Sequence, residues 1–170
     1  MAAGITYTPI AETTLGSAAS SVTFSSISGS YTDLVIVFAG TAGGGNNNLV
    51  LTFNSDTGNN YSWTDLEGNG STAASYRLSN QAGIKFAYNL VATGTSQCNT
   101  IMHIMNYSNT TTYKTALGRV NTPTNATIYV GTTAGVGLWR NTAAITSLTC
   151  SNGDNWASGS TFSLYGITAA

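Results

Sequence analysis

Tyr31-Thr32-Asp33-Leu34-Val35-Ile36-Val37-Phe38 decides the fold. Leu34 to Phe38 is an unbroken apolar run, and Ala39-Gly40-Thr41-Ala42-Gly43-Gly44-Gly45 follows at once. The run is too short for a helix and is punctuated as a strand, expected to be buried on both faces. Such a strand needs another layer over it. No segment of the chain carries the periodicity of a good covering helix, so that layer is a second sheet. The expectation is an all-β, two-sheet antiparallel β-sandwich, with residues 1–170 forming a single domain.

Working outward, strand patterns recur at 5–10, 21–27, 32–38, 49–54, 60–65, 75–78, 84–91, 99–107, 115–121, 126–131, 136–139, 145–150 and 161–167. Turn clusters separate them, among them residues 54–60, Glu67-Gly68-Asn69-Gly70-Ser71 and Ser151-Asn152-Gly153-Asp154-Asn155. Ser21-Val22-Thr23-Phe24-Ser25 alternates and predicts one wet face, hence an outer position in its sheet. Asn99-Thr100-Ile101-Met102-His103-Ile104-Met105 is apolar on both faces and predicts a central one. Ser71-Thr72-Ala73-Ala74-Ser75, the one stretch with helical character, is too short to matter. There is no internal repeat.

Composition narrows the function. At 170 residues a compact domain hides roughly 70% of its unfolded surface, enough for a real core. Only 6% of residues are charged, against about 25% in an ordinary domain, and the formal net charge is -1. Arg77, Lys85, Lys114, Arg119 and Arg140 are dispersed, so counterion release from phosphates contributes little and nucleic acid is excluded as the main partner. So few charges give weak repulsion between copies, which suits a protein packed against neighbours. No stretch approaches the roughly 18 apolar residues of a membrane span, and the N-terminus has no basic leader, so the chain is expected to be made in a cytoplasm and to stay soluble. Cys98 and Cys150 could face each other across two strands, but buried free thiols are the preferred reading. The sequons at Asn60, Asn69, Asn106, Asn109 and Asn125 read as chance products of an Asn/Ser/Thr-rich chain.

Little of the sequence points to catalysis. His103, the only histidine, lies among Met and Ile in a core strand, where a hydrogen-bonded structural role is expected. Of six carboxylates, Asp65 and Glu67 share a side if their strand continues, although the following Gly-Asn-Gly argues for a turn. The segment Asn54-Ser55-Asp56-Thr57-Gly58-Asn59 lacks the spacing of a calcium loop. One His and two distant Cys form no zinc set, and the glycine stretch after Phe38 lacks the Lys-Ser/Thr ending of a phosphate loop. No catalytic residue, cofactor or metal is expected. Tyr61, Trp63, Trp139 and Trp156 lie near loops, and aromatic faces beside Asn or Asp can hold sugars or anchor a protein partner. Trp63 and Asp65 are the first pair to examine for a glycan or partner contact.

Two segments carry a resemblance. Val22-Thr23-Phe24-Ser25-Ser26-Ile27, leading through Gly29-Ser30-Tyr31-Thr32-Asp33-Leu34-Val35-Ile36, is one; Gly159-Ser160-Thr161-Phe162-Ser163-Leu164-Tyr165-Gly166-Ile167 is the other. Together they resemble the small jelly-roll virion proteins of tailed bacteriophages. The resemblance implies a jelly-roll-like sandwich acting as a homo-oligomer, commonly a trimer, without catalysis. It implies either a cement or decoration protein bound to the major capsid protein on the outer capsid surface of the virion, or the head of a tail fibre that recognises host surface glycan. Strand pattern runs from Ile5 to Ile167, so a stand-alone domain without a fibre shaft is expected, which fits the cement role better.

Overall fold

The computed structural model describes residues 6–44, 48–86, 97–122 and 131–168, and every regular element among them is a strand. In chain order these are β1 (Tyr7–Thr14), β2 (Ala19–Phe24), β3 (Asp33–Gly40), β4 (Leu49–Phe53), β5 (Tyr61–Gly68) and β6 (Ala73–Gln81). There follow β7 (Ile84–Phe86), β8 (Cys98–Met105), β9 (Lys114–Thr122), β10 (Gly131–Trp139), β11 (Leu148–Trp156) and β12 (Thr161–Ile167). They form two antiparallel sheets, an eight-stranded one in the order β1-β12-β3-β8-β9-β10-β5-β6 and a four-stranded one in the order β2-β11-β4-β7.

The pairings explain the topology. β1 pairs with β12, β2 with β11, β3 with β8 and β4 with β7. These are the rungs of one long antiparallel hairpin, and successive strands of each arm alternate between the two sheets. A hairpin rolled up in this way is a jelly roll. Two hairpin excursions extend it: β5 and β6 leave the roll after β4, and β9 and β10 leave it after β8. They join beyond β8 as a four-stranded wing, β9-β10-β5-β6. The large sheet is therefore half roll and half wing.

The core lies between the sheets. Leu34, Ile36 and Phe38 of β3 are fully buried on the face toward the small sheet. Phe38, Trp156 and Phe162 form one aromatic cluster with ring centroids 4.8–5.4 Å apart, joining β3, β11 and β12. Phe53, Tyr61 and Trp139 form a second, 5.5–6.3 Å apart, which fixes the wing strands β5 and β10 to β4. Aromatic pairs at such separations add about 0.5–1.5 kcal/mol each beyond their burial.

Several sequence expectations are corrected. The run in β3 is covered by a second layer on one face only: Val37 and Ala39 stay half-buried on the other. Val35 is shielded there, flanked in register by Tyr165 and His103. Residues 151–155 form no turn; they run inside β11, whose pairing with β2 shifts register between Ser151 and Trp156. That irregularity lets turn-type residues sit within a strand. Gly131 to Trp139 is one continuous strand rather than the ends of two, and the stretch with helical character opens β6. Residues 87–91 and 126–130 of the expected strands lie outside the described residues. β2 is an edge strand and β8 a central one, both as expected.

Candidate functional site

Alternate residues of a strand share a side, so β5 sends Tyr61, Trp63, Asp65 and Glu67 toward the small sheet. Asp65 and Glu67 are thus on one face because the strand continues to Gly68. Their register partners on β10 are Trp139, Gly137, Gly135 and Thr133. The glycines let β7 come close: Ile84 fills the space over Gly137, and Phe86 lies over Gly135 and Gly118, where an added Cβ would meet the ring at 3.0 and 2.6 Å. Asp65 Oδ1 also lies against Gly135, in the space a side chain would take.

Polar groups that the fold leaves unpaired accumulate there. Among the described residues seven buried side-chain atoms have no hydrogen-bond partner, and five of them are Trp63 Nε1, both Asp65 carboxylate oxygens, Glu67 Oε1 and Thr133 Oγ1. Asp65 is 0% exposed and Thr133 3%. Burial, and then the neighbouring Glu67 charge, push the Asp65 carboxyl up to about 7; burial also raises that of Glu67. An unpaired buried polar group costs about 1–3 kcal/mol, and more when charged.

No described cation faces these carboxylates. Arg77 and Arg119 pair in register with outer-face residues of the sheet, Thr64 and Ile101. Lys85 points opposite to Ile84 and Phe86. Lys114, at the far end of β9, donates to the Thr112 and Thr142 carbonyls at 2.7 and 3.0 Å.

Trp63 and Asp65, the pair read from sequence as a glycan or partner contact, are brought together on one strand, but inside it. Trp63 is 4% exposed, so its ring offers no open platform for a sugar. Thr133 was missed by sequence reading. The signal was the period-two run of small residues Gly131, Thr133, Gly135 and Gly137, which marks an inward face pressed by another layer.

The other candidates are structural. His103 Nε2 lies 3.1 Å from Asp33 Oδ2, and Asp33 Oδ1 accepts the Asn106 amide at 2.6 Å. Among the described residues no hydroxyl or thiol bonds to this ring, so no nucleophile is aligned with it. The Asp56 carboxylate accepts from Gly58 N at 2.9 Å, Asn60 Nδ2 at 2.9 Å and Trp139 Nε1 at 2.8 Å. Three donors aimed at it leave no role for a cation.

The outer face of the large sheet, turned away from the small one, is the second notable feature. Leu117 and Val136 sit side by side there and are 49% and 48% exposed, with Leu66 at 62% close by on β5. A trough of about 610 Å³ runs past Leu66, Val37, Ile101 and Ala134, with Arg119 and Asn121 at its border.

No protein-family model and no curated protein matches this chain. Among solved structures, a marine PL-14 alginate lyase from Aplysia kurodai is similar at 7% identity, over 83% of this chain and 70% of that one, with a TM-score of 0.34. A protein of unknown function from Shewanella oneidensis MR-1 is similar at 8% identity, over 96% and 77% of the two chains, with a TM-score of 0.22. Likenesses this distant carry no argument about activity.

Proposed function

We propose that this chain is a non-enzymatic structural protein of a bacteriophage virion, of the capsid cement or decoration type. It associates with further copies of itself and seats on the major capsid protein at the outer shell. The observation that supports this reading best is the uncovered outer face of the large sheet, where Leu66, Leu117 and Val136 stand about half or more exposed and an apolar trough runs past Leu66. Contiguous exposed apolar surface on a folded domain marks an interaction site. The partner that suits it here is another copy, because 11 charged residues in 170, with a net charge of -1, give copies little reason to repel one another.

The two segments that carry the resemblance to phage virion proteins also meet in space. Tyr31, just before β3, lays its ring over Gly166 of β12, where any side chain would collide with it. Tyr107 ties the same corner, its hydroxyl donating to Ser28 O and accepting from Tyr31 N at 3.4 Å. These residues stiffen the roll. A cement protein acts by binding the assembled shell in preference to its parts, so it stabilises the shell by mass action through buried area alone.

The test is to add purified protein to capsids of the encoding phage that lack it. Binding that raises the temperature of shell disruption, and fails for the Leu117→Glu/Val136→Glu double variant, is the expected result. Protein that ignores capsids but binds host surface glycan would replace this reading with that of a tail receptor-binding module.

A further inference from the structure

The unpaired groups between β5 and β10 carry an inference independent of the virion reading. We propose that Asp65, Glu67 and the Thr133 hydroxyl form an oxygen-only binding site for a hard divalent cation of the calcium class.

The carboxylates alone would not establish a site. Thr133 is the independent observation: it comes from a different strand, stands opposite Glu67 in register, is 3% exposed, and its Oγ1 finds no partner among the described residues. A threonine at a buried sheet position normally turns its hydroxyl to a polar partner, as Thr100, also 3% exposed, does to Cys98 Sγ at 3.8 Å. Here the hydroxyl and three buried carboxylate oxygens belong to neighbouring register positions on the inward face of β5 and β10, with no described cation facing them. Two acids so placed repel each other and lose their hydration, and a bound dication would relieve both costs at once.

The donor set selects the ion. Carboxylate and hydroxyl oxygens without His or Cys suit calcium or magnesium and not zinc or copper. Calcium accepts irregular sets of six to eight oxygens, so it tolerates an arrangement imposed by a rigid sheet better than magnesium, which demands an octahedron. The protein offers four oxygens at most from the buried groups, and water would complete the shell. The way in lies beside Glu67, which is half-buried and lines a cavity of about 130 Å³ with Tyr76, Ala74 and Gly131. Trp63, whose Nε1 donates only, cannot ligate, but its indole stands on the same face two residues from Asp65.

Terbium, a calcium analogue that emits when a nearby indole is excited, makes a direct probe. Protein stripped with a chelator should give sensitised Tb³⁺ emission that saturates at one ion per chain and is displaced by CaCl2. Trp63→Phe should reduce that emission at least several-fold while leaving the calcium-dependent rise in Tm in place. Asp65→Asn should abolish both signals. Thr133→Val, which keeps the shape and removes one ligand, should weaken calcium about tenfold and covers the case in which Asp65→Asn does not fold. No saturable emission and no CaCl2-dependent change in Tm would overturn the site. So would signals of unchanged size in Asp65→Asn or Thr133→Val.

Discussion

Asp56 shows how much one side chain can organise. Its carboxylate closes the turn after β4 through Gly58 and Asn60, and it satisfies the indole N–H of Trp139, a residue 1% exposed. Asp56→Ala removes these bonds and strands a buried donor, so it should cost about 2–3 kcal/mol in urea unfolding. The Trp139 hydrogen bond, foremost among the causes, holds the Asp56 carboxyl below its ordinary value. A group with a depressed folded pKa stabilises above its unfolded value of 3.8 and loses that contribution as pH falls through the folded one. Stability should therefore drop as pH falls below about 4, and Asp56→Asn should lessen that drop.

Cys150 makes a second residue-scale test. Burial pushes its thiol up to about 12; both cysteines are fully buried and neither is in a disulfide. Neither should react with a thiol reagent at neutral pH until the protein unfolds, as the thiolate is the reactive form. That neither forms a disulfide was the preferred reading of the sequence, over a pair across two strands. The inward turn of Lys114 was not read there, although its place in the series Lys114, Ala116, Gly118, Val120 and Thr122 sets it on the buried face. Asn69 and Asn109 are explained only by the structure: each side-chain oxygen accepts the amides two and three residues on, at 2.7–3.0 Å, so these sequons serve as turn formers.

At the scale of elements, the wing depends on how closely β7 approaches it. Gly118 leaves room for the Phe86 ring, and a Cβ at that position would lie 2.6 Å from it. Gly118→Ala should destabilise by about 1–3 kcal/mol by overpacking. Because the cause is the ring, Phe86→Leu in the same chain should recover part of the loss in a double-mutant cycle. The sequence exposed most strands through alternation and turn residues, yet it failed where those signals conflict. Gly135 and Gly137 of β10 read as loop, but they mark close approach of another layer. The polar run at 151–155 reads as a turn, yet it lies inside β11, between the β2 pairings of Ser151 and Trp156. Asp65 and Glu67 were flagged on one side, but their burial depends on β7 and β10, which no local pattern reveals.

For the whole molecule, the two-sheet sandwich was legible in the strand patterns and the jelly roll was expected on the resemblance alone, whereas the wing was not foreseen, because strand order across a sheet is a long-range property. That wing doubles the large sheet and supplies most of its exposed apolar outer face. If this face joins copies, size-exclusion chromatography with light scattering should find an oligomer, a trimer on the resemblance. Leu117→Glu/Val136→Glu should give a monomer with unchanged circular dichroism, since both residues are about half exposed in the single chain. A wild-type monomer at high concentration would count against self-association.

The location of the protein on a virion tests the central claim most directly. Gold-labelled antibody against this chain, applied to intact particles of the encoding phage and viewed by electron microscopy, should scatter over the head. Label confined to the tail tip, or absent from the particle, would contradict the cement reading.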